Sequence, residues 1–360
     1  MNRRDIEEAR LAGILDDAKA AELTAFLKSR ADPGASSDDE SLRFLTNFND
    51  IFISIGIVIL TIGLAMVSGA MFGTTGNAIV MILPIIILLW LMLEYFAGRR
   101  RLLLPSMTLT VMITLQFTLL AALVANGLST VESAAATFGT DFGESFNTIK
   151  GVALWSAGGA IIATGLIYAR FRLPFALFLI AVAVAIGLYV EVFTNGNVSS
   201  IYGGSASFLI GLATLAVAVF FDAQDPARQT LSSDNAFWLH LAAAPQIMLG
   251  LRAIFSGGTY SSLSAGEAVP LLIALFAFGI LSLALNRRAL IAAGLLSFWV
   301  AFNAITDDAT SGIWQIAIPL LLLGGGIVLL GAGWKTARRL VLAFVPQSGI
   351  FARIFPPEPA

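Results

Sequence analysis

The sequence predicts an all-α integral membrane protein, a polytopic bundle of about ten transmembrane helices with both termini cytosolic. Three observations predict it. Of 360 residues, 58% are hydrophobic and only 12% are charged, roughly half the charged share of a soluble domain. The apolar residues fall in successive runs, each long enough to span a hydrocarbon core of roughly 30 Å. All but two of the 21 lysines and arginines lie where one alternating topology puts them on the same side, as cytosolic loops require.

Composition also excludes chemistry. The chain has no cysteine, which removes disulfides, thiol catalysis and thiolate metal sites. Its single histidine cannot build a multi-histidine metal or haem site. No cofactor and no nucleic-acid partner is expected; the expected surroundings are lipid. The first long apolar run begins near residue 49, too late for a cleaved secretory signal, so the first crossing is expected to serve as an uncleaved anchor.

In chain order, residues 1–30 read as a cytosolic two-helix hairpin. Ile6, Ala9 and Leu11 give one short apolar side, Gly13 breaks it, and Asp16 is placed to cap a second helix bearing Leu23, Phe26 and Leu27. So small a unit has little core of its own; it is a solvated appendage or a docking arm for a protein partner through 1–48. Residues 31–48 are a linker and pre-membrane segment: ADPGASSDDES has nothing to bury, and Leu42, Phe44, Leu45 and Phe48 suit an interfacial approach.

The bundle occupies 49–334, with crossings at 51–72, 76–97, 102–126, 150–169, 173–194, 203–221, 234–255, 267–285, 288–306 and 312–334. A long outer loop spans 127–149, and 335–360 form a cytosolic tail. Three inner turns are short and basic, GRRR, ARFR and LNRR. Small residues at helical spacing (Ser156, Ala160 and Thr164; Gly159 and Ala163; Ala183 and Gly187) suit close helix packing in lipid.

Ionisable groups inside a crossing cost roughly 2.5–3.5 kcal/mol at its centre, so each asks for a reason. Glu94 lies a turn from the inner end of its helix, beside Arg99–Arg101, as an interfacial partner for that basic turn. Glu191 and Arg252 lie at similar depth near the outer end, a candidate structural ion pair. His240 sits about 9 Å inside from the cytosolic end, by the rise of a helix. It is either hydrogen-bonded to a neighbouring helix or a proton-handling group with Glu94 as its nearest acid. Pro245 frees the carbonyl of Leu241 and Gln246 adds two polar ends, so His240, Pro245, Gln246 and Glu94 are the candidate cavity-lining or proton-handling set. No metal site is expected.

An intramembrane serine hydrolase would need its serine beside His240. The best serine, Ser205 in YGGSAS, lies about 18 Å away in depth, so the chain is not expected to be an enzyme. Two readings remain: a permease-like transporter of a small or amphipathic solute, and a non-transporting scaffold or sensor acting through the N-terminal cytosolic domain.

The stretches LAGILDDAKAAEL, NDIFISIGIVILTIGLAMV and FWLHLAAAP, in this order, resemble a group of bacterial multi-pass membrane proteins of unknown function with a short N-terminal helical domain. The resemblance implies a bacterial inner-membrane location and carries over no functional residue.

Overall fold

Every regular element among the described residues is helical. The computed structural model describes residues 6, 10, 12–13, 15–30, 48–72, 78–125, 142–194, 200–226, 228, 230–256, 264–306, 312–346, 349, 351 and 354–355. The chain divides into two compact units, Met1–Ser41 and Leu42–Ala360.

In the first unit, α1 is Asp17–Arg30. Gly13 accepts a turn ahead of it, with φ +71°, a backbone that glycine adopts without penalty. Its N–H donates to Arg10 O at 3.1 Å, and Arg10 Nη1 reaches Asp17 Oδ1 at 2.9 Å across the turn. Asp16 immediately precedes α1, and its carbonyl accepts from Ala20 N at 2.8 Å. Most of the expected first helix, and the linker 31–47, lie outside the described residues.

The second unit is a run of long helices: α2 Phe48–Phe72, α3 Ala78–Leu93, α4 Leu103–Ala125, α5 Phe142–Phe171, α6 Pro174–Thr194, α7 Ser200–Gln224, α8 Leu231–Phe255, α9 Ala265–Leu285, α10 Arg288–Thr306 and α11 Trp314–Leu342. A π-helical stretch, Glu94–Arg100, continues α3. Among the described residues nine helices, α2 to α9 and α11, are long and apolar enough to cross a membrane. The 19-residue α10 has the length of a crossing as well. Two boundaries differ most from the sequence reading. Helix α5 starts at Phe142, inside the expected loop 127–149, of which 127–141 lies outside the described residues. Helix α11 runs on to Leu342 because Trp334, Arg338 and Leu342, four residues apart, are buried in a continuing stripe.

The outside of the bundle is apolar as well as its core. Leu91, Ile162, Phe220, Ile273, Phe276, Leu321 and Leu329 are exposed, while Thr110, Thr164, Asp222, His240, Arg287 and Arg338 are buried. An aqueous surface does not tolerate contiguous apolar area on this scale; lipid does. The bundle is that of a chain with helices suited to spanning a membrane.

Two larger cores carry most of the buried apolar packing among the described residues. In the first, Ile57, Leu89, Leu93, Leu109, Ile113 and Ile167 join α2 to α5. In the second, Leu215, Ala243, Ala244, Ile247 and Met248 meet Phe278, Leu285 and Leu290 across α7 to α10. Helix α6 packs between them, against α5, α7 and α8.

Helices α7 and α8 form the tightest pair, and glycine makes it so. A Cβ on Gly250 would lie 2.4 Å from Phe208 N, and one on Gly211 would lie 2.7 Å from Ile247 N. Gly204 likewise faces Ala253 at 2.7 Å. Close backbone approach through small residues is how helices associate where no hydrophobic force separates them from lipid. Of the small rows read from sequence, Gly159 does the same on α5: its Cβ would fall 2.6 Å from Phe117 O of α4.

Four turns at one end of the bundle reverse through left-handed residues, Arg101 (φ 53°), Arg172 (φ 54°), Arg228 (φ 54°) and Asn286 (φ 54°). At Asn286 the closure is a Schellman motif: Arg287 N donates to Ser282 O at 3.0 Å and Asn286 N to Leu283 O at 3.1 Å. Asparagine suits this position, whereas an arginine pays roughly 1–2 kcal/mol for the same backbone. Cross-links hold these turns together. Arg170 Nη2 bonds Glu94 Oε1 at 2.6 Å, Arg228 donates to the carbonyls of Asn286 and Leu285 at 2.9 and 2.8 Å, and Trp334 Nε1 donates to Asn286 Oδ1 at 2.7 Å.

Candidate functional site

The site grows out of the last turn of α7 and the first turns of α8. On α7 the positions Gly211, Leu215, Ala218 and Asp222 recur every three or four residues, so Asp222 continues the stripe that faces α8. On α8, Ser233, Asn235, Ala236, Leu239 and His240 are buried on its inner side. The segment between the helices is fixed by Asp225, whose Oδ2 accepts from Thr230 N at 2.6 Å and Thr230 Oγ1 at 2.7 Å. Thr230 in turn N-caps α8 through Ser232 N.

Into this corner the α9–α10 turn inserts Arg287. Its side chain is 2% exposed, Asp222's is 8% and His240's is 0%. Arg287 Nη2 bonds Asp222 Oδ1 and its Nε bonds Asp222 Oδ2 at 3.2 Å, a fork matched to the carboxylate. The same Nη2 reaches Ser233 O and Oγ, each at 3.2 Å. His240 Nε2 lies 3.5 Å from Asp222 Oδ2.

The imidazole has a defined orientation. Nδ1 is 2.7 Å from Ala236 O; a carbonyl only accepts, so Nδ1 carries the hydrogen. Nε2 has no hydrogen-bond partner and faces a carboxylate oxygen that can only accept. A neutral imidazole therefore presents a lone pair to Asp222. A proton entering at Nε2 would turn that contact into a charge-assisted hydrogen bond. The cluster thus has one atom where protonation changes an interaction.

Beside it, Asn235 Nδ2 donates to Tyr168 OH of α5 at 2.9 Å, and Trp238 stacks edge-on against Phe175 of α6 at 4.8 Å. Deeper in the bundle Tyr189 OH and Ser207 Oγ are 2.7 Å apart, and Ser207 donates to Gln246 O at 2.8 Å. Gln246 Oε1 is buried with no partner.

Compared with protein families, curated proteins and solved structures, the chain matches none. The residues alone therefore carry the reading.

The residues singled out from sequence meet different fates. His240 and Gln246 are buried together on the α7-facing side of α8, but Pro245 is on the exposed side of that helix and lines no interior. Glu94 is not the acid beside His240. It is taken by Arg170, across from its own basic turn, while Asp222 occupies the place beside the imidazole. Nor do Glu191 and Arg252 pair: Glu191 Oε1 is held by Lys150 Nζ at 3.0 Å, because α6 packs directly on α5 and brings those ends together. Gly204, next to Ser205 in the chain, packs on Ala253 near the far end of α8, about 20 Å along that helix from His240 by its rise.

Asp222 and Ser233 were missed because the expected crossings ended at 221 and began at 234, and Arg287 was counted only among the basic residues of an inward-facing turn. The stripe Gly211–Leu215–Ala218–Asp222 was the available signal for the first. For Arg287 there was none, since its partners are about fifty and sixty-five residues away.

Proposed function

We propose a multi-pass protein of ten crossings in a bacterial inner membrane, with both termini cytosolic, that works as a scaffold or sensor through its N-terminal domain and is neither a carrier nor an enzyme. What supports this is the packing of α8. A solute pathway would need a wet interior at the middle of that helix, yet Ala242, Ala243, Ala244, Ile247 and Met248 are buried there against Leu215 and Phe278. The Asp222–Arg287 pair then ties α7 to the α9–α10 turn as a clamp. The basic inner turns and the resemblance to bacterial membrane proteins support the membrane and the orientation.

The natural absence of cysteine gives a direct test. Ala243→Cys and Gln246→Cys, in vesicles, are expected to resist a water-soluble maleimide, while Leu231→Cys at the exposed start of α8 reacts. Labelling at 243 and 246 would overturn the scaffold reading. It would favour the second one, a permease for a small or amphipathic solute, which draws on two buried atoms without hydrogen-bond partners, His240 Nε2 and Gln246 Oε1. Orientation is tested by reporter fusions: a fusion after Thr140 is expected to report outside and one after Arg228 inside, and the reverse pattern means a miscounted helix.

A further inference from the structure

We infer that the turns after α3 and α5 together form a binding surface for the phosphate of an anionic phospholipid. Two turns far apart in sequence meet here. Arg170 of one bonds Glu94 of the other, Phe171 packs 5.9 Å from Trp90, and a Cβ on Gly98 would touch the Phe171 ring at 3.9 Å. The joined surface presents five exposed arginines, Arg99, Arg100, Arg101, Arg170 and Arg172, against one carboxylate, Glu94.

The protein's own contacts use few of these charges. Arg170 takes Glu94. Arg100 lies over Tyr95 at 5.7 Å and donates to its hydroxyl at 3.0 Å; Arg172 lies over Tyr168 at 5.7 Å. Both aromatic contacts leave the guanidinium charge uncompensated. The π-helical widening at Glu94–Arg100 fans the basic residues outward from the end of α3, as such segments often do at functional sites.

Backbone conformation gives an independent argument. Arg101 and Arg172 occupy left-handed positions that glycine fills without strain. Arg228 shows what an arginine in that conformation does when its role is internal, since it caps the carbonyls of Leu285 and Asn286. Arg101 and Arg172 instead stay exposed, Arg172 over the Tyr168 ring and neither guanidinium on a backbone carbonyl. A general need for positive charge in an inner turn would be met at any position, so charge at the strained positions indicates a ligand fixed in place. At the end of membrane-crossing helices, above aromatic side chains, that ligand is a lipid headgroup, for which basic residues between helix ends are suited. Only the crossing of α3 to α6 is required, not its direction.

The test uses the full chain, purified in zwitterionic detergent and titrated with phosphatidylglycerol, with bound lipid counted by native mass spectrometry. Arg101→Gly with Arg172→Gly keeps both backbone turns. It is expected to bind about thirtyfold more weakly, each charge near an anionic surface contributing about a factor of five. Its melting temperature without lipid should be no lower than wild type. Lys335→Gln, at an exposed position on α11, should bind as wild type does. Unchanged binding by the double variant would overturn the inference, as would equal loss in Lys335→Gln, which means diffuse attraction. A lowered lipid-free melt would mean the arginines serve the fold. Displacement of the lipid by inorganic phosphate would mean a site for a free anion.

Discussion

Arg287→Ala is expected to cost about 3–5 kcal/mol of stability, the range for removing one partner of a buried ion pair. The cost arises less from the lost attraction than from what stays behind. Asp222 would be left in an almost fully buried corner without the guanidinium that compensates it, with the lone pair of His240 beside it. Two further contacts, to Ser233 O and Oγ, would go as well. Thermal or SDS-driven unfolding of the full chain in detergent, followed by tryptophan fluorescence, measures this. Trp334 reports locally, because Arg288, next to Arg287, lies over its ring at 5.3 Å. The double variant Asp222→Leu with Arg287→Met is expected to recover most of the loss, since a buried pair replaced by apolar groups of similar size is often neutral or better. If Arg287→Ala melts like wild type, the pair does not clamp these helices.

Gly250→Ala is the second large effect. One methyl group would be placed 2.4 Å from Phe208 N and 2.7 Å from Phe208 Cα. These are backbone atoms of α7 and cannot swing aside like a side chain. The helices would have to separate, which disturbs the seam from Gly204–Ala253 to Gly211–Ile247. Overpacking of this kind costs typically 1–3 kcal/mol, and about 3 kcal/mol is expected here. Gly324→Ala on α11 is the control: nothing lies within 4 Å of its added Cβ, and the change should stay within about 0.5 kcal/mol. Comparable melts for the two variants would mean that the α7–α8 approach is looser than described.

Both effects concern residues whose importance is hard to read in one dimension. The histidine and glutamine of α8 stand out in sequence because polar residues are rare in apolar runs. Their rarity marks them as costly, but not what they meet. Glu94 and Asp222 show the difference. By depth alone Glu94 was a fair partner for His240, yet rotation about the helix axes gives it to Arg170 and puts Asp222 against the imidazole. Glu191 likewise matches Arg252 in depth but faces Lys150.

What the sequence by itself determined is the solvent and the unit of construction. Hydrophobic runs of a fixed length require helices in lipid, because backbone groups there must be satisfied within the segment, and that holds whatever the neighbours are. The tight basic turns follow too, from basic residues set between two runs. Only the tertiary structure decided which helices touch and at what rotation. In lipid no hydrophobic gradient separates an inward face from an outward one as it does in water. Partner choice rests instead on the fit of small residues such as Gly204, Gly211 and Gly250 and on ion pairs such as Asp222–Arg287. Those depend on the positions of atoms tens of residues apart.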